Sequence, residues 1–215
     1  MILGLIGTFA IAFALGSIPW GVVIGKVFFH TDIRESGSGN IGTTNAMRVI
    51  GKKGGVAVFL LDFGKGLLSG YLATVIGGIC LSGGNAGFEW ISLNESLALA
   101  FVGCISGHIY SPWLGFHGGK GIAVAVGCLF FVFGPVGALL ELALFIVLVL
   151  VTRTVSIGSI AAAVACPFFT LYYYWGDPIA WVLITAAAFM VFYAHRGNME
   201  RLRDGTEPKI GDKKK

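Results

Sequence analysis

Long apolar runs alternate with shorter polar connections along the chain. A run of about 20 apolar residues is long enough for a helix to cross the hydrocarbon core of a bilayer. The pattern therefore predicts an all-α, polytopic integral membrane protein that forms a single domain over residues 1–215. The expected helices, about seven in number, cover residues 2–29, 55–81, 96–110, 122–133, 136–152, 155–175 and 178–194. Pro19 is expected to kink the first of them.

The stretch 122–152 can form one helix or two. One helix of this length is long for a bilayer with a core of about 30 Å, and Gly134-Pro135 in its middle favours a break. A single helix would also place Arg153 on the opposite side of the membrane from Lys120, whereas two helices keep them together. We therefore expect two short helices. The first of these must be tilted, shielded by other helices or set in thinned bilayer.

The basic residues set the expected orientation. With two short helices in the middle, all 15 lysines and arginines fall on one side of the membrane, and positive charge marks the cytoplasmic side. The N-terminus is then outside and the C-terminus inside, where residues 205–215 are expected to form a flexible tail. We assign no function to the outer connection 81–95.

The amino-acid composition is typical of a protein that is embedded in membrane lipid. Only 12% of the residues are charged and 56% are hydrophobic, and the mean hydropathy is +0.84. A soluble domain usually carries about twice that share of charge. No basic block with interleaved aromatic residues indicates nucleic-acid binding.

The cysteines carry no sign of a metal centre. They lie in or at the ends of apolar segments, and no two of them form a CxxC pair. Such cysteines are typical of small buried thiols rather than of a disulfide framework or a metal site. We therefore predict no metal and no cofactor. The residues concerned are Cys80, Cys104, Cys128 and Cys166.

A glycine-rich polar segment, residues 36–48, reads SGSGNIGTTNAMR. Glycines let backbone N–H groups converge on an anion, and Arg48 offers a planar fork that matches phosphate. A polar loop whose hydroxyls cap the next helix is the alternative, but the density of small donors favours an anion site. The predicted contacts are Gly37, Ser38, Gly39, Asn40, Thr43, Thr44, Asn45 and Arg48.

A second glycine-rich segment, residues 107–121, reads GHIYSPWLGFHGGKG. Lys120 precedes the short fourth helix, so an anion on the first turn of that helix would meet the positive end of its dipole and the ammonium group. The residues alone leave open whether Lys120 binds a substrate or only anchors the helix at the membrane interface. They also leave open whether His108 has a function or is a satisfied interfacial histidine.

The third polar segment, residues 195–208, directly follows the last helix and reads HRGNMERLRDGTEP. His195 and Asn198 are three residues apart, so on a helix they lie on one face. Recognition of a phosphate or a hydroxyl group is possible there. A basic signal that stops translocation is the alternative.

Charged residues inside predicted membrane helices either have a function or neutralise one another. Asp62 and Lys65 are three residues apart and can form an ion pair, so a functional and a structural role both stay open. Glu141 has no partner nearby in sequence. We expect it to be protonated, paired with a distant group or exposed to a polar cavity.

The three polar segments together resemble those of one family. GSGNIGTTNAMR, GHIYSPWLGFHGGKGIA and HRGNMERLRDGTEPKIG are similar to the motifs of the bacterial acyl-phosphate:glycerol-3-phosphate acyltransferases, the PlsY family. The resemblance covers nearly the whole chain. It implies transfer of a fatty acyl group from acyl phosphate to the 1-hydroxyl of glycerol 3-phosphate, an early step of phospholipid synthesis. It also implies a bacterial inner-membrane location with the active site on the cytoplasmic side.

The resemblance assigns roles to individual residues. It links Glu207 to the integrity of the third motif. It implies catalytic roles for Ser38, Arg48, Lys120, His195 and Asn198. It implies that Gly118 and Gly119, together with Lys120, bind glycerol phosphate. The predicted substrate-binding set is completed by Lys65, His108, Ser111 and Ser156.

Acyl phosphate is already activated, so the expected mechanism needs no covalent acyl-enzyme. Arg48 and Lys120 would hold phosphate oxygens, Ser38 would stabilise the oxyanion, and Asn198 would orient the glycerol. His195 either binds phosphate or acts as general base. A transporter of a small organic phosphate is the alternative function, but polar motifs clustered at one face favour the enzyme. The oligomeric state stays open.

Overall fold

Ten α-helices form the part of the chain that the computed structural model describes, residues 2–82 and 93–211. No strand occurs in these residues, so the all-α fold is confirmed. Most of the outer connection 81–95 lies outside them. The helices are α1 (Ile2–Ser17), α2 (Trp20–Phe29), α3 (Thr43–Val49), α4 (Gly51–Ser82), α5 (Leu93–Ile109), α6 (Ile122–Val132), α7 (Gly134–Thr152), α8 (Val155–Tyr173), α9 (Pro178–Ala194) and α10 (Arg196–Arg203).

Within the described residues, five stretches are long and apolar enough to cross a membrane, and α9 with α10 forms a sixth that is bent by 49°. Large apolar side chains cover the outer surface, and Leu150, Val151 and Phe168 are 73%, 78% and 70% exposed. Water disfavours so extensive an apolar surface, whereas lipid accepts it. The chain is therefore an integral membrane protein. The five stretches are Gly4–Phe29, Gly51–Ile79, Leu93–Leu114, Gly134–Thr152 and Val155–Tyr173.

The short fourth helix of the prediction is α6. Its 11 residues rise about 16 Å, roughly half of a hydrocarbon core of about 30 Å. It packs against α4, α5 and α7. Glycines bring α6 and α4 into backbone contact: a Cβ at Gly127 would lie 2.1 Å from the carbonyl oxygen of Phe63, and one at Gly66 would lie 2.2 Å from that of Val124. Neighbouring helices thus shield this short helix from lipid.

Both predicted interruptions of the apolar runs occur. The backbone turns between α6 and α7 at Gly134, which has φ 67°, and Pro135 lies in the first turn of α7. Proline is tolerated there because the first N–H groups of a helix have no partner within it. At Pro19 the structure has a full break instead of the expected kink. Helix α1 ends at Ser17 and α2 begins at Trp20.

The segment that follows α10 folds back onto the helical body. Glu207 accepts hydrogen bonds from two side chains of α10. The N–H of Ile210 donates to the carbonyl oxygen of Arg153 at 2.7 Å, and the Arg153 side chain donates to the carbonyl oxygen of Ile210. The expected tail therefore makes defined contacts as far as Ile210, while residues 212–215 lie outside the described part of the chain.

Candidate active site

Residues from all three polar segments line one cavity of about 350 Å³, called here the main cavity. A second opening of about 310 Å³ adjoins it. The two share the side chains of Ser38, Asn40, Lys120, Asn198 and Arg201. The five residues predicted as catalytic all contribute to the wall of the main cavity: Ser38, Arg48, Lys120, His195 and Asn198.

Asn45 holds the first polar segment in shape. Its amide donates to the carbonyl oxygens of Ile33 at 2.7 Å and Asn40 at 2.8 Å, and its Oδ1 accepts from the N–H of Ser38 at 2.8 Å. Gly37 has φ +66°, and a Cβ there would lie 2.3 Å from the same Oδ1. Asn45 and Gly37 therefore stabilise the loop itself instead of making the predicted substrate contact. The Asn45 amide is used by hydrogen bonds within the loop, and Gly37 leaves room for that amide.

The same loop turns other polar side chains towards the main cavity. Ser38, Asn40, Thr43 and Thr44 line it, together with Arg48 in the last turn of α3. The Oγ1 of Thr43 is buried and has no hydrogen-bond partner among the described residues. Buried hydroxyls are normally satisfied, so this one suits a molecule bound in the cavity.

A chain of hydrogen bonds joins the second polar segment to the third. The ammonium group of Lys120 donates to Oδ1 of Asn198. Asn198 in turn donates from Nδ2 to Oε1 of Glu207 at 2.6 Å, and Arg201 donates from Nε to Oε2 of Glu207 at 2.7 Å. Both ends of the Asn198 amide thus serve this chain instead of the predicted contact with glycerol. Asn198 fixes the direction in which the ammonium group points.

The charges around this chain leave an excess of positive potential. Burial lowers the pKa of Lys120 to about 8, with the charges of Arg201 and Arg48 acting in the same direction and that of Glu207 against them. Burial raises the pKa of Glu207, but hydrogen bonds led by that from Asn198 outweigh it, so the net pKa is lowered. One carboxylate therefore faces three cationic groups, which favours binding of an anion.

His195 presents an acceptor to the main cavity. Its Nδ1 lies 2.8 Å from the carbonyl oxygen of Val191. A carbonyl only accepts, so Nδ1 carries the proton and Nε2 a lone pair. Burial lowers the pKa of His195 to about 4, the hydrogen bond to Val191 opposes this, and the charge of Lys120 adds to it. The ring is therefore neutral at pH 7 and offers Nε2 as an acceptor, which suits a hydroxyl group better than a phosphate oxygen.

Two helix N-termini open into the main cavity, those of α6 and α8. The N–H groups of a first helical turn have no partner within the helix, and they carry the positive end of the helix dipole. With Lys120 and Arg48 nearby, these turns make the cavity suited to phosphate oxygens. The lining residues from the two turns and the glycine before α6 are Gly121, Ile122, Ala123, Val155 and Ser156.

Comparison with known proteins agrees with this geometry. Residues 6–205 match the family model for glycerol-3-phosphate acyltransferase. The chain is 42% identical over 208 residues to the glycerol-3-phosphate acyltransferase of Gloeobacter violaceus, covering 96% of this chain and 95% of that relative. The chain belongs to the glycerol-3-phosphate acyltransferase family. The enzyme of the same description from Thermosynechococcus vestitus is 39% identical over 212 residues, 98% of this chain and 96% of the relative.

Solved structures extend the similarity to the fold. A crystal structure of PlsY, an integral membrane glycerol 3-phosphate acyltransferase, in its glycerol 3-phosphate form has a TM-score of 0.82 and 34% identity and covers 96% of both chains. The lysophosphatidic acid form has a TM-score of 0.79 and 33% identity and covers 96% of this chain and 95% of that one. Between the two functions that the sequence left open, these similarities favour an acyltransferase over a transporter.

In this acyltransferase, Gly118 and Gly119 let the second segment lie directly on the end of α5. Their N–H groups donate to the carbonyl oxygens of Ile109 at 2.9 Å and His108 at 3.0 Å. A Cβ at Gly118 would lie 2.0 Å from the carbonyl oxygen of His108, and one at Gly119 would lie 2.1 Å from its ring Nε2. Gly118 lines the second opening, as Gly39 does, whereas the structure places Gly119 in close packing with the His108 ring.

Two predicted substrate-binding residues of this acyltransferase lie behind the cavity wall. Ser111 is fully buried and donates to the carbonyl oxygen of Ser17 at 2.7 Å. Lys65 is 5% exposed and is engaged by the carboxylate of Asp62 at 2.9 Å. Neither Ser111 nor Lys65 lines the main cavity. The structure contradicts direct substrate contact for both, because their polar atoms are used inside the helical bundle. His108, in contrast, lines the cavity.

One side of the main cavity continues into apolar surroundings. A small pocket of about 40 Å³ shares Ile122, Val126, Leu142 and Phe145 with it. Glu141 lines this small pocket and is 4% exposed, and its Oε2 has no hydrogen-bond partner in the described part of the chain. The pocket beside Glu141 is thus apolar, unlike the polar cavity that the sequence allowed for.

Sequence reasoning missed several residues of the cavity wall. Arg201 and Ser159 line the main cavity. Arg201 follows Asn198 by three residues on α10, and Ser159 follows Ser156 by three on α8, so helical spacing alone could have found them. Phe145 carried no such signal, because an apolar residue that faces a substrate looks the same in sequence as one that faces lipid.

Proposed function

We propose that this protein transfers a fatty acyl group from acyl phosphate to the 1-hydroxyl of glycerol 3-phosphate, which gives lysophosphatidic acid and inorganic phosphate. The observation that carries the proposal is the character of the main cavity. It has three basic side chains, Arg48, Lys120 and Arg201, on one side and apolar side chains that lead to a second pocket on the other. A substrate that joins a phosphate to a long acyl chain matches both sides.

The two openings offer a place for each substrate. Glycerol 3-phosphate is small and polar, and it suits the second opening, which is lined by Gly39, Gly118 and Arg196 among others. Acyl phosphate is amphipathic and suits the main cavity. Lys120 lies in the wall of both, so one ammonium group can bring the two phosphates close together. This proximity would replace a bimolecular encounter by a reaction within one site.

The acyl chain would follow α8 away from the polar side. Ser156 and Ser159 line the main cavity, and Ala162, Ala163 and Cys166 line the small apolar pocket. The ten residue steps from Ser156 to Cys166 rise about 15 Å along the helix. The small side chains on this face leave room for methylene groups, whose transfer out of water stabilises the complex by about 0.8 kcal/mol each.

The arrangement supports direct transfer without an acyl-enzyme. Among the described residues, no base is hydrogen-bonded to the hydroxyl of Ser38, and neither Cys104 nor Cys128 lines the main cavity. The glycerol hydroxyl oxygen attacks the acyl carbonyl carbon, and its proton passes to Nε2 of His195. The bond from the acyl carbon to the phosphate oxygen breaks, and phosphate leaves. The hydroxyl of Ser38 would stabilise the oxyanion between these steps.

The proposed setting is the bacterial inner membrane, crossed seven times by α1–α2, α4, α5, α6, α7, α8 and α9. The active site would face the cytoplasm, with the N-terminus outside. The distribution of the 15 lysines and arginines supports this orientation. Acyl phosphate would then reach the site from the inner leaflet, while glycerol 3-phosphate would enter from water.

A donor assay tests the proposal. Purified protein in detergent receives labelled glycerol 3-phosphate with palmitoyl phosphate, and in a parallel reaction with palmitoyl-CoA. We expect labelled lysophosphatidic acid from palmitoyl phosphate alone. Lys120→Met should be inactive, whereas Lys53→Met, which changes an exposed lysine of α4, should keep its activity. Product from palmitoyl-CoA but not from palmitoyl phosphate would refute the proposed donor.

A further inference from the structure

Lys65 is surrounded by three acceptors inside the helical bundle. Its Nζ lies 2.9 Å from Oδ1 of Asp62, 2.8 Å from the carbonyl oxygen of Ile18 and 3.0 Å from Nδ1 of His108. The side chains of Asp62, Lys65 and His108 are only 2%, 3% and 4% exposed. An ammonium group has three N–H donors and no acceptor. Lys65 therefore makes hydrogen-bond contacts with Ile18 and His108 and an ion pair with Asp62.

This arrangement fixes the tautomer of His108. Because Lys65 donates to Nδ1, that nitrogen must offer its lone pair, and the neutral ring carries its proton on Nε2. A proton on Nδ1 would face the N–H of the ammonium group, because the nearby Oδ1 of Asp62 lies 3.8 Å from Nδ1, beyond hydrogen-bond distance. His195, in the same cavity, has the opposite arrangement, with its proton on Nδ1.

The Nε2 of His108 lies beside the loop that carries Lys120. A Cβ added to Gly119, the residue before Lys120, would lie 2.1 Å from this nitrogen. His108 and Asp62 both line the main cavity. Within the described residues, His108 has hydrogen-bond contacts at Nδ1 and at its backbone, but none at Nε2. An N–H donor that has no protein partner in the described residues and lies in the cavity wall beside a cationic loop suits a ligand oxygen.

We propose that His108 donates its Nε2–H to an oxygen of the phosphate group bound beside Lys120, and that Asp62 and Lys65 are positioning residues that keep the ring in this tautomer. The inference rests on the proposed function for the identity of that phosphate group. The charge of Asp62 balances that of Lys65, so the pair orients the ring without adding net charge to the cavity. The site would then contain two histidines of opposite tautomer. His108 would donate a hydrogen bond from Nε2, and His195 would accept one at Nε2.

Two substitutions of one residue test the contact. In His108→Gln the amide nitrogen reaches the position of Nε2, whereas in His108→Asn the amide ends at the position of Nδ1. A hydrogen bond to a charged group contributes about 10-fold to 100-fold in binding. We expect kcat/KM of His108→Asn to be lower than that of His108→Gln by this factor. Thermal unfolding in detergent checks that both variants fold.

The kinetics are measured with each substrate varied in turn, so the KM that rises identifies whether glycerol 3-phosphate or acyl phosphate receives the hydrogen bond. Equal kcat/KM in the two folded variants, whether both are normal or both are low, would overturn the contact. The tautomer is tested separately by nitrogen NMR of histidine-labelled protein, in which the signals lost in His108→Gln belong to His108. A protonated Nε2 and an unprotonated Nδ1 are expected, and the reverse would overturn the inference.

The double variant Asp62→Asn with Lys65→Met tests the positioning residues as a unit. It removes both charges together and avoids leaving one of them buried and unpaired. We expect the preference of His108 for the Nε2–H form to weaken in its spectrum, and an unchanged spectrum would overturn the role given to the pair. The NMR result does not depend on the acyl donor, so failure of the donor assay and failure of this inference are distinguishable.

Discussion

Lys120 donates a hydrogen bond to the amide oxygen of Asn198, a residue 78 positions later in the chain. This contact connects the loop before α6 to α10 and places the ammonium group between two openings. Asn198→Ala removes the acceptor and also leaves Glu207 with one donor fewer. We expect the KM for glycerol 3-phosphate to rise about tenfold, because one hydrogen bond to a charged group is lost, with a smaller change in kcat.

The matched control for this prediction is Asn94→Ala, which changes an asparagine at the start of α5 that does not line the main cavity. Steady-state kinetics of both variants with acyl phosphate at saturation give the comparison. A KM for Asn198→Ala equal to that of the control would show that Lys120 does not depend on this contact.

The charge of Lys120 sets an upper pH limit. Because the pKa of Lys120 is lowered to about 8, the ammonium is present below that value and is lost as the pH rises through it. We expect kcat/KM for glycerol 3-phosphate to fall above about pH 8, since this quantity reports groups of the free enzyme. The fall in kcat should come at higher pH, because a bound phosphate raises the pKa of the lysine.

Lys120→Arg is the control for the pH profile. Arginine stays charged to above about pH 12, so the fall of kcat/KM above about pH 8 should disappear even if the overall rate is lower. The profile is read from initial rates over the alkaline range. If the fall of kcat/KM above about pH 8 persists unchanged in Lys120→Arg, a group other than Lys120 causes it.

His195 is expected to act on the proton rather than on the phosphate. His195→Gln keeps an amide near the position of Nε2 but cannot take up a proton. General base catalysis contributes about 10²-fold to 10⁴-fold, so kcat should fall by a factor in that range while KM for both substrates changes little. Near-normal turnover at saturating substrate would exclude His195 as the base and would leave the departing phosphate as the proton acceptor.

The contact between α4 and α6 depends on a glycine at position 66. In Gly66→Ala the added Cβ would meet the carbonyl oxygen of Val124, and overpacking of this kind costs about 1–3 kcal/mol. The midpoint of thermal unfolding in detergent should decrease. In Gly64→Ala, two residues earlier in the same helix, the Cβ meets nothing within 4 Å, so stability should stay the same or rise slightly. Equal midpoints for the two variants would contradict this account.

The carboxyl group of Glu141 is expected to limit the length of the acyl chain. It lines the small pocket that continues from the main cavity, and an apolar chain end is unfavourable against a carboxyl group. Glu141→Ala should raise kcat/KM for octadecanoyl phosphate relative to hexadecanoyl phosphate. Leu139→Ala, a change on the exposed side of α7, is the control and should keep the original preference. An unchanged preference in Glu141→Ala would place the chain end elsewhere.

The breaks in the helices were predictable because they follow from residue type. Pro19 and Gly134-Pro135 interrupt helices for local steric reasons, and such reasons act within a few residues. The convergence of the three polar segments was predictable from charge, since the positive-inside rule assigns all the basic groups to one side of the membrane. The same arguments could not give the distances between side chains of the three segments, because these depend on how distant helices pack against one another in the bundle.

Asn45 and Lys65 show where the sequence was insufficient. An asparagine in a glycine-rich loop offers the same donors and acceptor whether it holds an anion or its own backbone, and only the folded loop shows that Asn45 binds Ile33 and Asn40. The spacing of Asp62 and Lys65 predicts their ion pair. It carries no information about His108, which approaches Lys65 from another helix.

The hydrogen-bond chain that ends at Glu207 can form only when the last part of the protein has been synthesised. The third polar segment comes after α9, the last apolar helix, so Lys120 has no partner at Asn198 until that segment has left the ribosome. A nascent chain that stops short of Glu207 can insert its helices into the membrane but lacks the carboxylate that holds Asn198 in place. Competence for catalysis therefore depends on residues that are synthesised after the last apolar helix.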